Sequence, residues 1–172
     1  MDANELRTLQ APLKKQYREQ PATALTPARA EATLDVDRIA CRVRSWGGET
    51  DAGLHSATGG DGSLACSADM MLEALVACAG VTLSAVATAM GVKLRGGRVI
   101  AEGQCDARGT LGVDREAPVG LSDIAVTFEL DTNADAATVR RLVEMSERFC
   151  VIYQTLRTPP RLTVTHRTAT QA

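Results

Sequence analysis

Residues 68–90 read ADMMLEALVACAGVTLSAVATAM, and no charged side chain lies between Glu73 and Lys93. Apolar and small residues occupy nearly every side of a helical projection of this stretch, which predicts a helix through the interior of a folded domain. Ser67 is the predicted N-cap, and Asp69 falls in the first turn, where the helix dipole favours an acid. The uncharged part is short for a membrane span and rich in Ala, Ser, Thr and Gly, so a buried helix is favoured over a transmembrane one.

Three segments precede this helix. Residues 3–19 carry an apolar stripe at helical spacing and predict a helix that Pro12 kinks or restarts. Residues 38–44 alternate apolar and arginine side chains after a turn at Asp35–Asp37, the pattern of a half-exposed strand. Residues 47–62 are rich in Gly, Ser, Thr and Asp and are predicted to form a loop.

Four further segments follow it. Residues 92–106 and 119–131 predict two strands of a hairpin, joined by a link that contains glycine and proline. Residues 135–156 predict a second helix, and 162–166 one more strand. Strands and helices in this order indicate an α+β fold. We expect residues 27–172 to form the domain and residues 1–26 to form an N-terminal helical arm.

Composition narrows the classes of function. The chain has a formal net charge of −2 and a pI near 5.7, with Lys and Arg scattered along it, which argues against nucleic acid as a partner. The first five residues, MDANE, lack the basic start and apolar run of a signal peptide. We therefore expect a cytoplasmic protein that does not associate with membranes.

The five cysteines are Cys41, Cys66, Cys78, Cys105 and Cys150. Their number is odd and no C-x-x-C or C-x-x-H spacing occurs, so neither a disulfide framework nor a zinc site is indicated, and a reducing compartment fits. Cys41 and Cys105 are predicted to be strand core. Cys66, just ahead of the long helix, is either loop filler or a third redox thiol.

Cys78 and Cys150 lie on the apolar sides of the two predicted domain helices, where a cysteine ordinarily only packs. Their surroundings are more specific. Residues 74–83 read ALVACAGVTL and residues 147–156 read ERFCVIYQTL. Both segments resemble the two cysteine motifs of the OsmC/Ohr family of osmotically inducible and organic hydroperoxide resistance proteins, and the order of strands and helices between them also agrees with that family.

The resemblance implies an OsmC-like fold, an intertwined homodimer and a thiol peroxidase that acts on organic hydroperoxides, and more weakly on hydrogen peroxide. In such an enzyme the Cys78 thiolate attacks the peroxide, and the resulting sulfenic acid condenses with Cys150. A dithiol reductant, typically of the lipoyl type, then reopens the disulfide. The resemblance implies neither a metal nor an organic cofactor.

A reactive cysteine also needs activation, because a thiol with a pKa near 8.5 is only about 3% thiolate at pH 7. An Arg at about 4 Å offers around 4 kcal/mol at an effective dielectric of 20. This attraction is enough to lower the pKa of the cysteine below neutral pH. Family members place such an Arg on the N-terminal strands of the partner subunit. The candidates in this sequence are Arg29, Arg38, Arg42 and Arg44. Arg29 is favoured because its alanine neighbours leave room for close packing.

Two positions depart from the family pattern. Ala68 stands ten positions before Cys78, where the organic-hydroperoxide branch carries a Glu, and Asp69 and Glu73 do not share the helix face of Cys78. Val151 stands where many members have Pro. These departures indicate a less characterised OsmC-like subgroup with modest activity.

Two other functions remain compatible with the sequence. The same fold can enclose an apolar pocket for a small ligand, with both cysteines retained for packing or for redox sensing and with little peroxidase activity. The amphipathic arm at residues 3–19 is also compatible with a purely structural or assembly role.

Overall fold

The computed structural model describes residues 1–168 and begins with helix α1, Ala3–Glu19. The predicted helix is confirmed and runs through Pro12 without a break in its assignment. Asp2 caps it by accepting hydrogen bonds from the N–H groups of Asn4 at 2.7 Å and Glu5 at 2.9 Å, while the Glu5 carboxylate accepts from the Asp2 N–H at 2.7 Å. The helix contacts only part of the domain, and Leu9 remains 59% exposed.

The first sheet is antiparallel and contains β1 (Glu31–Asp35), β2 (Ala40–Ser45) and β3 (Gly48–Ala52) in that order. The strand predicted over 38–44 is confirmed from Ala40 onward. Ile39 instead lies in the turn before it, with φ 52°.

The prediction of a loop over 47–62 is wrong at β3. This strand carries little apolar sequence, and it forms because its backbone pairs with β2 along its whole length. Cross-strand ion pairs add to this pairing: Arg42 lies 2.8 Å from Asp51, and Arg44 lies 3.3 Å from Glu49.

Helix α2, Ser67–Met90, confirms the long predicted helix, but its N-cap is Cys66 instead of Ser67. Gly91 ends it in a left-handed conformation with φ 69°. By length and composition alone α2 is able to cross a membrane. One of its faces nevertheless packs as a domain core, through five buried residues: Leu75, Ala79, Leu83, Val86 and Ala87.

The predicted hairpin is confirmed as β4 (Leu94–Gln104) and β5 (Ser122–Thr132), which pair antiparallel. A four-residue helix, α3 (Ala107–Thr110), lies in the link between them. The main core forms where α2 packs against Phe128 of β5 and against Leu142, which lies in the helix that follows β5. Near its start β5 bulges: the residues between Ser122 and Ala125 oppose Gly103 alone, and Asp123 has φ 52°.

The helical region predicted over 135–156 is two helices, α4 (Ala136–Phe149) and α5 (Val151–Arg157). The break lies at Cys150, whose φ of −74° and ψ of 111° are extended, so the periodicity continues across a chain that is not continuously helical. The prediction of a strand at 162–166 is wrong for the single chain, in which this segment has no strand partner among the described residues. The α+β class is confirmed.

Candidate active site

Cys150 occupies the junction between α4 and α5. Its N–H donates to the carbonyl of Ser146 at 2.9 Å, which completes α4, and its carbonyl accepts from the N–H of Gln154 at 3.0 Å, which begins α5. Its Sγ accepts a hydrogen bond from the Tyr153 N–H at 3.5 Å, as an N-cap side chain does. Cys150 is 1% exposed, so the end of one helix and the start of the next fix a buried sulfur.

Further contacts hold the two short helices in place. The side-chain amide of Gln154 donates to the Glu147 carbonyl at 2.8 Å and ties α5 to α4. The buried Ser146 hydroxyl donates to the Leu142 carbonyl at 2.7 Å. Both helices contact α2. The junction is therefore anchored from two directions against the helix that carries Cys78.

Cys78 lies half-buried in the middle of α2, and the structure brings it to the start of α5. Burial raises the pKa of its thiol. The backbone N–H of Ile152, the thiol of Cys150, the backbone N–H of Val151 and the hydroxyl of Thr82 act in the opposite direction by hydrogen bonding, and together they hold the pKa below that of an ordinary cysteine. Two of these groups are amides of the first turn of α5.

The pKa of Cys150 moves the other way. Burial raises it, and the nearby Cys78 sulfur raises it further, while the Tyr153 N–H only partly offsets these effects. In a coupled pair the first proton to leave is a property of both groups. Of the two thiols, Cys78 is therefore the one that ionises more readily.

The predicted activating arginines do not reach Cys78 within one chain. The Arg29 side chain is 82% exposed and pairs with Glu31 at 2.7 Å. The other three candidates also form exposed ion pairs with acids of the first sheet: Arg38 with Asp35, Arg42 with Asp51 and Arg44 with Glu49. Within a single chain, backbone amides and hydroxyl and thiol hydrogens take the place of a cation at Cys78.

A cleft of about 450 Å³ lies beside Cys150, between β5 on one side and α2, α4 and α5 on the other. Most of its wall is apolar. Its lining residues are Leu75, Ala79, Leu121, Asp123, Ile124, Val126, Phe128, Ser146, Glu147, Cys150, Tyr153, Leu156 and Arg157.

The other cysteines lie elsewhere. Cys41 is half-buried in β2, in agreement with the prediction of strand core, whereas Cys105 is exposed just after β4, so that prediction is wrong. The strand ends at Gln104 and leaves Cys105 in the link to α3. Cys66 is the N-cap of α2 but makes no capping hydrogen bond through its side chain.

The sequence motifs point to both cysteines but not to the groups that hydrogen-bond Cys78. Thr82, Val151 and Ile152 carry no signal of their own in an apolar helical pattern. One sign of the break was present: many family members have Pro at position 151, and Pro is favoured at the first position of a helix. A new helix starting there would have predicted free amides next to Cys150.

The model of the family described as OsmC-like protein matches residues 60–165. The chain belongs to the OsmC-like protein family. No functionally curated protein matches the sequence.

Solved structures share the fold of this OsmC-like chain. An OsmC-like protein from Mycoplasma pneumoniae is 16% identical with a TM-score of 0.63, over 78% of this chain and 89% of that one. An organic hydroperoxide resistance protein OsmC from Legionella pneumophila is 16% identical with a TM-score of 0.58, over 78% and 91%. OhrB, the organic hydroperoxide resistance protein of Bacillus subtilis, is 19% identical with a TM-score of 0.52, over 78% and 93%. At these identities the likeness establishes the fold.

Proposed function

We propose that this OsmC-like protein is a thiol-dependent peroxidase that reduces organic hydroperoxides through Cys78 and Cys150. The observation that carries the proposal is the proximity of the two thiols: the Cys78 sulfur is hydrogen-bonded to the Cys150 thiol and to the backbone N–H of Ile152 at the start of α5. A peroxidase of this type needs one thiolate that attacks and one thiol close enough to resolve the product. Names of structural neighbours that refer to organic hydroperoxide resistance support the same chemistry.

The proposed reaction has two steps. The Cys78 thiolate attacks one oxygen of the hydroperoxide, the O–O bond breaks, and the alkoxide takes a proton and leaves as an alcohol, so that Cys78 becomes a sulfenic acid. Cys150 then attacks the sulfur of this sulfenic acid. A Cys78–Cys150 disulfide forms and water leaves. The oxidation of two thiols balances the reduction of one peroxide.

The surroundings of Cys78 favour a substrate with an apolar tail. On α2 the residue one turn before it, Ala74, and the adjacent Ala77 are small, apolar and exposed in the single chain. Each substrate CH₂ buried against such a surface contributes up to about 0.8 kcal/mol, so a few carbons favour an organic hydroperoxide over hydrogen peroxide by about ten- to a hundredfold.

The proposed active form is a cytoplasmic homodimer. Large apolar side chains that a single chain leaves exposed support this, among them Leu9 on α1 and Val81 on α2. In the dimer Arg29 of one subunit approaches Cys78 of the other and strengthens the activation by the amides of α5. A lipoyl-type dithiol regenerates the reduced enzyme.

Stopped-flow consumption of cumene hydroperoxide and hydrogen peroxide between pH 5 and 9 tests the function. We expect reaction with both, faster with the organic substrate, and its loss in Cys78→Ser. In Cys150→Ser a dimedone adduct on Cys78 should accumulate because the sulfenic acid is not resolved. No reaction with either peroxide, or an unchanged rate in Cys78→Ser, would instead favour a ligand-binding or redox-sensing role for the fold.

A further inference from the structure

The break between α4 and α5 changes the hydrogen bonding of one carbonyl group. In an unbroken helix each carbonyl accepts from the N–H four residues later, so the Glu147 carbonyl would accept from the Val151 N–H. In this chain Cys150 is extended, with ψ 111°, and the Glu147 carbonyl accepts instead from the side-chain amide of Gln154 at 2.8 Å. The side chain of Gln154 therefore takes the place of a backbone donor.

The contact between Gln154 and Glu147 is specific to the broken chain. In a continuous α-helix, residues seven positions apart are separated by about 10.5 Å along the axis. A glutamine side chain with a hydrogen bond at its end does not span that separation. The contact thus stabilises the broken arrangement, adds nothing to a continuous helix, and shifts the equilibrium between the two toward the break.

The residues around the break are not helix breakers. Neither Gly nor Pro occurs from Leu142 to Thr158, and the apolar spacing of α4 continues into α5. Helices are interrupted at Pro, at Gly, or where a side chain or water enters the ladder of backbone hydrogen bonds. The last of these causes is the one that Gln154 provides.

The break frees the amides that reach the attacking sulfur. The N–H groups of Val151 and Ile152 hydrogen-bond the Cys78 sulfur, across the contact between α5 and α2. If the chain were helical through Cys150, both N–H groups would bond carbonyls in the last turn of α4. A continuous helix would therefore withdraw both donors from Cys78.

We infer that Gln154 is a positioning residue: by occupying the Glu147 carbonyl, its side-chain amide keeps the first turn of α5 directed at Cys78. The inference rests on the proposed role of Cys78 as the attacking thiol. Gln154 acts through the backbone and needs no contact with the peroxide. Its loss should affect the ionisation of Cys78 and not only the stability of the fold.

Two matched variants of the full-length protein test this inference. Gln154→Met keeps the length of the side chain and removes its N–H donor. Thr155→Val is the control in the same helix, because it removes a hydroxyl that donates to the Val151 carbonyl at 2.9 Å. Each variant loses one hydrogen bond of α5, but only Gln154→Met leaves the Glu147 carbonyl free to recapture a backbone N–H.

Alkylation of Cys78 by iodoacetamide between pH 5 and 10, followed by peptide-level mass spectrometry, reports its ionisation without any peroxide. In Gln154→Met the midpoint should move to higher pH by about 0.5 to 1 unit, and in Thr155→Val it should not move. Peroxide reduction at pH 7 should slow about three- to tenfold in Gln154→Met alone.

The double variant Val151→Pro/Gln154→Met separates positioning from general stability. A proline ring clashes with the carbonyl four residues earlier in a helix, here that of Glu147, so Val151→Pro enforces the break without help from Gln154. In the Val151→Pro background, Gln154→Met should therefore cause no further shift of the Cys78 profile. Additive shifts would show that Gln154 does not act through the break.

The outcomes distinguish this inference from the proposed function. An unmoved Cys78 profile in Gln154→Met, an equal shift in Thr155→Val, or additivity in the Val151→Pro background overturns the inference. If the profiles shift as expected but no variant reacts with cumene hydroperoxide, the peroxidase function fails and the role of Gln154 stands. If peroxide reacts and Gln154→Met changes neither rate nor profile, the function stands and the inference fails.

Discussion

The sulfur of Cys78 lies within hydrogen-bonding range of the backbone N–H of Ile152, in the first turn of a different helix. This relationship exists because the chain stops being helical at Cys150 and begins a new helix one residue later. The first amides of a helix have no partner within it, so they are free to bond a sulfur that faces them. The break that positions Cys150 therefore also supplies two of the N–H groups that lower the pKa of Cys78.

The pH dependence of alkylation should distinguish the two thiols. A lowered pKa gives Cys78 more thiolate at neutral pH than a free cysteine has, so its reaction with iodoacetamide should reach its plateau at lower pH. Cys150, whose pKa is raised, should react only at higher pH. Peptide-level mass spectrometry between pH 5 and 10, with N-acetylcysteine as reference, measures both. A Cys150 profile below that of Cys78 would reverse the assigned roles.

Val151→Pro should weaken the activation of Cys78. Pro suits the first position of α5, and the extended conformation of Cys150 suits a residue before Pro, so the fold should be retained. The substitution removes one N–H that bonds the sulfur. We expect the pKa of Cys78 to rise and peroxide reduction at pH 7 to slow about five- to tenfold.

Val151→Ala is the matched control for this substitution, because it shortens the side chain and keeps the N–H. It should react with peroxide at nearly the original rate. If both variants are slowed equally, the side chain of Val151 matters and its amide does not. Recovery of the Val151→Pro rate at higher pH would identify loss of thiolate as the cause.

The elements that the sequence predicts well are those with a strong local pattern. The uncharged run of α2 and the alternation at Val126, Phe128 and Leu130 in β5 each require one kind of element. β3 has no such pattern, because it is held as a strand by backbone pairing with β2 and not by its own sequence. The break at Cys150 has the opposite cause: a regular apolar spacing continues from α4 into α5, although the single residue between them is extended.

The candidate site also contains some features that the local sequence predicts and others that it does not. Short motifs around Cys78 and Cys150 resemble those of a family, so the sequence predicts both residues. Their contact is a consequence of how α2, α4 and α5 pack, which no local pattern contains. The sequence does not predict the amide donors, for a more general reason. Every residue except Pro has an N–H, so whether that N–H bonds a sulfur depends on backbone geometry and not on residue type.

Thr82→Val should have a smaller effect than Val151→Pro. The substitution is nearly isosteric and removes the hydroxyl that bonds Cys78, which contributes least among the groups that lower its pKa. We expect peroxide reduction to slow about two- to threefold at pH 7. Thr88→Val is the control on the same helix, because the Thr88 hydroxyl donates to the Ser84 carbonyl at 2.8 Å instead. Identical rates in the two variants would remove Thr82 from the site.

Val81→Glu should break the proposed homodimer. Val81 is 73% exposed on α2 in the single chain, and a charge there costs little unless another apolar surface covers it. We expect light scattering at micromolar concentration to show a dimer for the original protein and a monomer for the variant. Val113→Glu alters a residue of equal exposure in the link between β4 and β5 and should remain dimeric. A monomeric original protein would contradict the proposed assembly.

Arg29→Ala tests whether the partner subunit completes the site. Within its own chain the Arg29 side chain makes an exposed ion pair with Glu31, and such pairs add little to stability, so thermal unfolding should hardly change. If Arg29 of one subunit lies beside Cys78 of the other, its loss removes a favourable charge from the thiolate. The peroxide reaction at pH 7 should then slow about tenfold and recover toward pH 9, where Cys78 ionises without help. Arg44→Ala removes a comparable exposed pair, with Glu49, and should leave the pH profile unaltered. A profile that shifts in Arg44→Ala and not in Arg29→Ala would assign the activating cation to β2 instead of the segment before β1.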